Sequence, residues 1–186
     1  MSENYLPPAT VGFLAPDRIV ANFGLKAGDN AADFGDGHGY FSIPLARSVG
    51  PEGKVYAIDI QRPVLDTIRS HAKTQHLLNM EYVWGDLDDP GGSRLPDRFI
   101  DFVLVGNILF QVEHKEVMLG EAWRILREGG RLALVEWEHS RDRLGPPLEA
   151  RVKKETARSL AIQAGFEFDR EFSASPRHYG LLFYKP

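Results

Sequence analysis

The sequence predicts an α/β fold in which a parallel sheet lies between two layers of helices. Two observations support this prediction. Short apolar segments typical of buried strands alternate along the chain with segments whose apolar residues recur at helical spacing. A run of alternate glycines also joins the first strand to the first long helix, which is where open α/β sheets place ligand-binding loops.

Five buried strands are predicted first, centred on residues 30–34, 54–59, 80–84, 100–105 and 131–136. Between them, apolar side chains spaced three or four residues apart predict helices that pack on the sheet. These helical stripes are Phe41, Leu45 and Val49; Leu65, Ile68 and Ala72; and Met118, Ala122 and Ile125.

The rest of the chain is predicted to complete the sheet. We interpret residues 127–130 as a helix stop before the fifth strand, because two consecutive glycines follow a charged turn. After a Gly-Pro-Pro break at 145–147, a last helix is predicted over residues 148–164. Segments 166–172 and 179–184 then predict two antiparallel strands that close the sheet.

The stretch from Ala31 to Phe41 is the most informative part of the chain. It contains Gly35, Gly37 and Gly39 between an apolar strand and an apolar helix. Glycine allows the backbone to turn with positive φ and allows a ligand to approach without a Cβ in the way. Asp33, at the end of the strand, adds a carboxylate near such a ligand. A purely structural turn is the alternative interpretation, and the neighbouring motifs decide between the two.

The spacing of these glycines differs from the G-x-G-x-x-G fingerprint of dinucleotide-binding loops, because Tyr40 occupies the position of the third glycine. Asp33 and Asp36 would also repel a pyrophosphate. The same carboxylates would favour a sulfonium or an amino group, and S-adenosylmethionine has both. A nucleotide-dependent oxidoreductase is therefore disfavoured.

Two further strands end in an acidic residue. Asp59 closes the second strand 20 residues beyond Gly39, where an acid that binds ribose hydroxyls is expected. Asp86 follows the third strand, where it could accept a hydrogen bond from the adenine amino group while Ile60 and Leu87 flank the ring. A turn aspartate is the alternative for Asp86 in isolation, but several strand-end acids in register favour a shared ligand.

These motifs resemble those of the class I S-adenosylmethionine-dependent methyltransferases, over nearly the whole chain from Pro16 onwards. The chain is most similar to small members of the ubiquinone-biosynthesis and methyltransferase-11 type, in which a tract like residues 53–59 recurs. The resemblance implies a Rossmann-like, doubly wound, seven-stranded sheet in three α/β/α layers. It also implies that the sheet is mostly parallel with an antiparallel last strand.

The resemblance further implies S-adenosylmethionine as the cofactor and methyl transfer as the activity, and it leaves the acceptor open. The glycine loop would hold the methionine part of the cofactor, and the strand-end acids would hold the ribose and the adenine. The predicted cofactor-binding residues are Asp33, Gly35, Asp36, Gly37, Gly39, Asp59, Ile60, Asp86, Leu87 and Asn107. A binding or regulatory protein that keeps this pocket without turnover is the alternative.

Acceptor chemistry is expected beyond the C-terminal ends of the fourth and fifth strands. The fourth leads to Asn107 and Gln111, neutral groups able to orient an acceptor, and lacks the Asn/Asp-Pro-Pro-Tyr/Phe motif of nucleic-acid amino methyltransferases. The fifth leads to Trp137, which could wall the pocket or merely pack in the core, and to His139, a base or a solvated loop histidine. We predict Gln111, Trp137 and His139 as the catalytic residues.

Length and composition predict one domain. The chain has 186 residues, of which 43% are apolar and 26% charged. Residues 25–186 are assigned to a single methyltransferase domain. Residues 1–24 form an N-terminal segment that could fold over the cofactor, with disorder or simple packing as alternatives. The sequence is compatible with a homodimer and does not decide the oligomeric state.

The charge balance and residue types exclude several function classes. A net charge of −4 argues against a large nucleic-acid footprint. The chain has no cysteine, which excludes disulfides and thiolate metal sites, and no histidine pair has metal-ligand spacing, so no metal is predicted. No apolar run approaches the length of a membrane span and no signal-peptide pattern is present, so a cytoplasmic location is expected.

Overall fold

The computed structural model describes residues 14–35, 37, 39–139 and 144–186. Its strands are β1 (Asn30–Phe34), β2 (Lys54–Asp59), β3 (Met80–Trp84), β4 (Ile100–Gly106), β5 (Leu126–Trp137), β6 (Glu167–Ser175) and β7 (His178–Tyr184). Its helices are α1 (Pro16–Val20), α2 (Ser42–Val49), α3 (Arg62–Thr74), α4 (Lys115–Ile125) and α5 (Lys154–Gln163).

The seven strands form one sheet in the order β3-β2-β1-β4-β5-β7-β6. Strands β1 to β5 are paired in parallel, and β7 is antiparallel to both β5 and β6. The predicted fold is therefore confirmed. Although β2 and β3 separate them in sequence, β1 and β4 are neighbours in the sheet, so the chain changes its direction across the sheet at this point. Open α/β sheets bind ligands at such switch points, beyond the carboxyl ends of the strands.

Both faces of the sheet are covered by helices, because the parallel strands are apolar on both sides. On one face, Phe34, Val103 and Leu134 pack in a core with residues of α4 and α5. On the other, Ala31 and Val55 pack in a second core with residues of α1, α2 and α3. All nine side chains of the three predicted helical stripes are buried.

The N-terminal segment contributes to the second core where the structure describes it. Ile19, Val20 and Phe23 are buried, and Asp17 of α1 pairs with Arg47 of α2. Residues 1–13 lie outside the described residues, so the predicted covering of the cofactor falls largely outside them.

Two sequence-based boundaries were wrong. Residues 127–130 belong to β5 itself, which follows α4 directly, and the pairing register with β4 shifts there because the strand bulges. The last helix begins at Lys154 rather than at residue 148. The preceding segment is not helical, since the buried Arg151 guanidinium donates hydrogen bonds to the carbonyl oxygens of Pro146 and Glu138.

Among the described residues, every helix is too short or too polar to span a bilayer. Within the same part of the chain, histidine, aspartate and glutamate side chains form no group of three or more with the arrangement of a metal site.

Candidate functional site

A cleft of about 280 Å³ opens at the carboxyl edge of the sheet, where β1, β2, β3 and β4 end. This is the switch-point position expected for a ligand site. The cleft is lined by Gly35, Gly37, Asp59, Ile60, Gln61, Gly85, Asp86, Leu87, Asp88, Ile108, Gln111 and Val112.

The glycine loop forms the wall of the cleft that follows β1. Gly35 has a φ of +68°, and a Cβ at this position would lie 2.1 Å from Cδ1 of Ile108. Glycine is therefore required at position 35 for two reasons: the backbone turns with positive φ, and the loop after β4 approaches too closely for a Cβ. A Cβ at Gly37 would meet no atom within 4 Å, so the space beside this residue is open to a ligand.

Asp33 and Gly39, two other predicted loop residues, do not line the cleft. Asp33 is buried beneath the loop, where its Oδ2 accepts a hydrogen bond from the Ser42 hydroxyl at the start of α2, 2.9 Å away. Gly39 faces Ile43 and Ile68 of the helical layer. Asp36 lies outside the described residues. Asp33 thus fixes the loop against α2.

Asp59 lies at the end of β2 and is 7% exposed. Its Oδ1 accepts a hydrogen bond of 2.8 Å from the backbone N–H of Gln61, directly before α3 begins at Arg62. This bond orients the carboxylate at the cleft wall, which is the placement that an acceptor of ribose hydroxyl groups requires.

The segment after β3 forms the opposite end of the cleft. Asp86 accepts a hydrogen bond of 3.0 Å from the N–H of Asp88, and Leu87 is buried while Ile60 across the cleft is half exposed. Asp88 in turn accepts the backbone N–H of His114 at 2.7 Å, just before α4. Sequence reasoning missed Asp88, although an aspartate two residues after Asp86 was the available signal.

The same segment is tied to α4 by a buried carboxylate that the sequence did not reveal. Glu121 accepts hydrogen bonds from the backbone N–H groups of Gly91 and Ser93 and from the guanidinium of Arg124. Burial alone would raise the pKa of Glu121, but the hydrogen bonds from Arg124 and Ser93 outweigh burial and the pKa lies below its ordinary value. The loop bearing Asp86 is therefore held at both ends.

The loop after β4 forms the remaining wall. Asn107 has a φ of 56°, in the left-handed region that asparagine tolerates better than most residues, and its N–H donates to the Val135 carbonyl. Gln111 then donates from Nε2 to the Asn107 carbonyl oxygen at 2.9 Å. The buried Oδ1 of Asn107 has no hydrogen-bond partner among the described residues. Of the two, only Gln111 lines the cleft.

Trp137 and His139, predicted as catalytic residues, are not brought to the cleft. The Trp137 ring packs on the ring of His178, its pairing partner in β7, with 4.1 Å between centroids. The Arg151 guanidinium lies 5.6 Å from the centroid of the Trp137 ring. His139 is exposed beyond the end of β5. The core-packing alternative for Trp137 and the solvated alternative for His139 match these positions.

The chemistry of the lining residues fits S-adenosylmethionine. Three carboxylates, from Asp59, Asp86 and Asp88, face a cleft whose described lining contains no lysine or arginine. Carboxylates accept hydrogen bonds from hydroxyl and amino groups, whereas a pyrophosphate would be repelled. Ile60, Leu87 and other apolar residues supply surfaces for the faces of a base.

Comparison with known proteins agrees with this chemistry. Residues 31–130, more than half of the chain, match the model of a family described as "Methyltransferase domain". The chain belongs to this family. Its fold is that of the class I S-adenosylmethionine-dependent methyltransferases.

Several known proteins resemble this chain. It is 32% identical to the demethylmenaquinone methyltransferase of Listeria welshimeri, over 60% of this chain and 46% of that protein. It is 29% identical to the ubiquinone/menaquinone biosynthesis C-methyltransferase UbiE of Francisella tularensis, over 64% and 47%. The matches thus span about half the length of these relatives. An S-adenosylmethionine-dependent methyltransferase from Aquifex aeolicus superposes with a TM-score of 0.86 and 25% identity, covering 95% of this chain and 93% of that one.

Leu87→Asp is expected to weaken S-adenosylhomocysteine binding by at least about tenfold, because a buried carboxylate would replace the apolar surface predicted to flank the adenine. Asp86→Asn keeps an acceptor oxygen and should cost only a few-fold, roughly the charge-assisted part of one hydrogen bond. Titration calorimetry measures both, and circular dichroism verifies folding. Normal binding by folded Leu87→Asp would place the adenine elsewhere.

Glu136, buried at the end of β5, should make stability fall as the pH rises. Burial raises the pKa of its carboxyl to about 8, against backbone hydrogen bonds that lower it. The folded pKa exceeds the unfolded one, so the stabilising contribution is complete at low pH and is lost as the pH rises towards about 8. Urea unfolding between pH 6.5 and 8.5 should show a loss of about 1 to 2 kcal/mol relative to Glu136→Gln. Parallel pH dependences would contradict the assignment.

Proposed function

We propose that this methyltransferase transfers the methyl group of S-adenosylmethionine, by in-line displacement, to an acceptor that approaches along the loop after β4. The observation that supports this proposal is the cleft at the switch point, which combines three carboxylates, apolar walls and no cationic side chain among its described lining residues. The loop with Gln111 forms the wall next to the position expected for an acceptor.

Each wall of the cleft has a proposed role. Asp59 accepts hydrogen bonds from the ribose hydroxyls, and Asp86 accepts one from the adenine amino group. Ile60 and Leu87 contact the two faces of the adenine ring. Gly35 and Gly37 accommodate the methionine end. Asn107 lies behind this wall, and its buried Oδ1, which has no hydrogen-bond partner among the described residues, is suited to accept an N–H bond. When bound, the cofactor supplies an electrophilic methyl group.

The protein's contribution to the reaction is then mainly alignment. Gln111 is the neutral group of the cleft wall that can orient an acceptor, and no histidine lines the cleft among the described residues. Holding two reactants in line can lower a barrier by about 7 to 11 kcal/mol, so a strong general base is not obligatory.

The first experiment measures binding of S-adenosylmethionine, S-adenosylhomocysteine and NAD by titration calorimetry. Binding of the first two without NAD supports the proposal, and binding of NAD alone would overturn it.

A methyl-transfer screen with radiolabelled cofactor then identifies the acceptor. Reduced quinones are the first candidates, because the relatives from Listeria and Francisella are named for quinone biosynthesis.

A non-catalytic cofactor-binding protein is the second candidate. It is favoured by one observation, that neither His139 nor Trp137 lines the described cleft. The two candidates differ in the screen, since a binder takes up S-adenosylmethionine with normal affinity and never produces S-adenosylhomocysteine.

The net charge of −4 and the acidic cleft support an acceptor other than nucleic acid for the enzyme.

Once an acceptor is known, His139→Ala should slow single-turnover methyl transfer by less than about a hundredfold, because an exposed histidine outside the cleft is not positioned as a base. Gln111→Ala should impair acceptor use while cofactor affinity stays within about threefold of the wild-type value. A loss beyond about a thousandfold confined to His139→Ala, together with loss of the pH-profile limb near neutrality, would instead make this a base-catalysed transferase.

A further inference from the structure

Glu136 is an acid in an otherwise apolar stripe of the sheet. Leu132 and Leu134 precede it at alternate positions of β5, so the three side chains point to the same face. Both leucines belong to the buried core that also contains Leu109 and Tyr179. Glu136 itself is 1% exposed. Because burying an acid here is costly, a local interaction is needed to explain its presence.

That interaction is with the loop after β4. Oε1 of Glu136 accepts a hydrogen bond of 2.7 Å from the backbone N–H of Leu109. Ile108, directly before Leu109, packs against Gly35. Gln111 and Val112, two and three residues after Leu109, line the cleft. The bond therefore fixes the centre of the segment that forms one wall of the cofactor cleft.

The hydrogen bond from the Leu109 N–H is the main polar contact of the Glu136 carboxyl. Backbone groups of Ile108 and Trp137 also contribute hydrogen bonds, and Lys115 of α4 is the charged side chain whose field acts on Glu136. Nζ of Lys115 is itself bound to the Val112 carbonyl at 2.8 Å. Tyr179 of β7 donates its hydroxyl to the Val152 carbonyl, and burial raises its pKa, so it stays neutral.

We propose that Glu136 is a positioning residue that holds the loop after β4 against the cofactor cleft and so determines cofactor affinity. It acts through the Leu109 N–H and does not itself contact the cofactor. This role rests on the proposed function, because it assumes that the cleft is the S-adenosylmethionine site.

A purely structural role makes a different prediction for Glu136→Leu. Replacing a buried acid by an apolar side chain of similar size is often neutral or stabilising, so stability and cofactor binding would both be retained. A positioning role separates the two properties. Glu136→Leu should then keep its stability and lose affinity, while Glu136→Gln, which keeps an acceptor oxygen for Leu109, should restore affinity.

The experiment compares wild type, Glu136→Leu, Glu136→Gln and the matched control Glu138→Gln, which changes a neighbouring acid two residues along the chain. Calorimetry with S-adenosylhomocysteine gives affinity, and urea unfolding gives stability. Hydrogen–deuterium exchange of the peptide containing Leu109, measured without ligand, reports on the loop independently of the cofactor.

Glu136→Leu is expected to bind about tenfold more weakly and to exchange the Leu109 amide at least about tenfold faster, as for loss of one hydrogen bond to a buried acceptor. Glu136→Gln and Glu138→Gln should stay within about threefold of wild type in both measurements. Wild-type affinity should also rise by about two- to threefold between pH 7 and 9, because the ionised carboxylate is the stronger acceptor. Glu138→Gln should keep this rise and Glu136→Gln should lose it.

Unchanged binding and exchange in folded Glu136→Leu would overturn the positioning role and leave the cofactor site untouched. Faster exchange with unchanged affinity would also overturn it, since the loop would then not determine binding. If wild type itself failed to bind S-adenosylhomocysteine, the proposed function would be wrong instead, and the two failures are therefore distinguishable.

Discussion

Asp59→Ala is expected to weaken S-adenosylhomocysteine binding by at least about tenfold. The carboxylate lies at the end of β2, lines the cleft and is oriented by the Gln61 N–H. Each lost hydrogen bond to a charged acceptor costs about 1.5 to 3 kcal/mol, and two ribose hydroxyls share this acceptor in the proposed binding mode. Loss of both bonds would bring the effect to a hundredfold or more. Titration calorimetry at constant pH and salt measures it.

The control is Asp66→Ala, which removes an exposed aspartate that pairs with Arg69 on α3, outside the cleft. It should bind S-adenosylhomocysteine as wild type does, since surface ion pairs contribute little. The affinity of Asp59→Asn, which keeps an acceptor oxygen, should lie between those of Asp59→Ala and Asp66→Ala. If folded Asp59→Ala bound the ligand with wild-type affinity, the ribose would have to lie elsewhere.

The strands of the parallel sheet could be predicted closely from the sequence. Residues 30–34, 54–59 and 80–84 coincide with β1, β2 and β3, because each is a short run rich in apolar residues between turn residues. Most residues of β1 and β2 are buried, whereas the edge strand β3 is partly exposed. The strand-end acids are local features too. Asp59 and Asp86 both line the cleft, as the motifs predicted, since the carboxyl ends of parallel strands meet at one edge.

Boundaries set by long-range contacts could not be predicted. The segment at 127–130 has the composition of a helix stop, yet it pairs with β4 through a bulge that only the neighbouring strand defines. Residues 148–153 have a helical composition, and the buried guanidinium of Arg151 binds carbonyl oxygens before the helix instead. Neither interaction leaves a periodic signal in the sequence.

Gln111 lines the cleft, but the other two residues predicted for the acceptor side, Trp137 and His139, do not, for the same reason. Trp137 is the last residue of its strand, as Asp59 is, but its ring faces His178 in an antiparallel partner whose register the sequence does not specify. Glu121 and Glu136 were outside the predicted site because each binds backbone N–H groups of a loop distant in sequence. Every residue except proline has a backbone donor, so these donors give no sequence signature.

The largest effect on stability is expected from Glu121→Ala. This carboxylate is 3% exposed and accepts hydrogen bonds from the N–H groups of Gly91 and Ser93 and from Arg124. Removing one partner of a buried charged network costs about 3 to 5 kcal/mol, and the partial exposure of Arg124 favours the lower value. For a chain of this size, a loss of about 3 kcal/mol lowers Tm by about 6 to 12 °C.

The pH dependence of this effect has a defined sign. The pKa of Glu121 in the folded chain lies below its unfolded value, so its stabilisation is complete above the unfolded pKa of 4.5 and is lost as the pH falls through the folded pKa. Wild type and Glu121→Ala should therefore converge in stability in strong acid and differ most near neutrality. Urea unfolding at pH 7 and at pH 3 compares the two.

Glu116→Ala is the matched control, because Glu116 lies on the same helix, is exposed and has the Nδ1 of His114 as a neighbour at 3.8 Å. It should change stability by no more than about 0.5 kcal/mol. Glu121 also fixes the loop bearing Asp86, so Glu121→Gln, which keeps an acceptor oxygen, should remain folded and bind S-adenosylhomocysteine more weakly by a few-fold. Equal stabilities of Glu121→Ala and Glu116→Ala would show that the loop after β3 is held by Asp88 and its bond to the start of α4 instead.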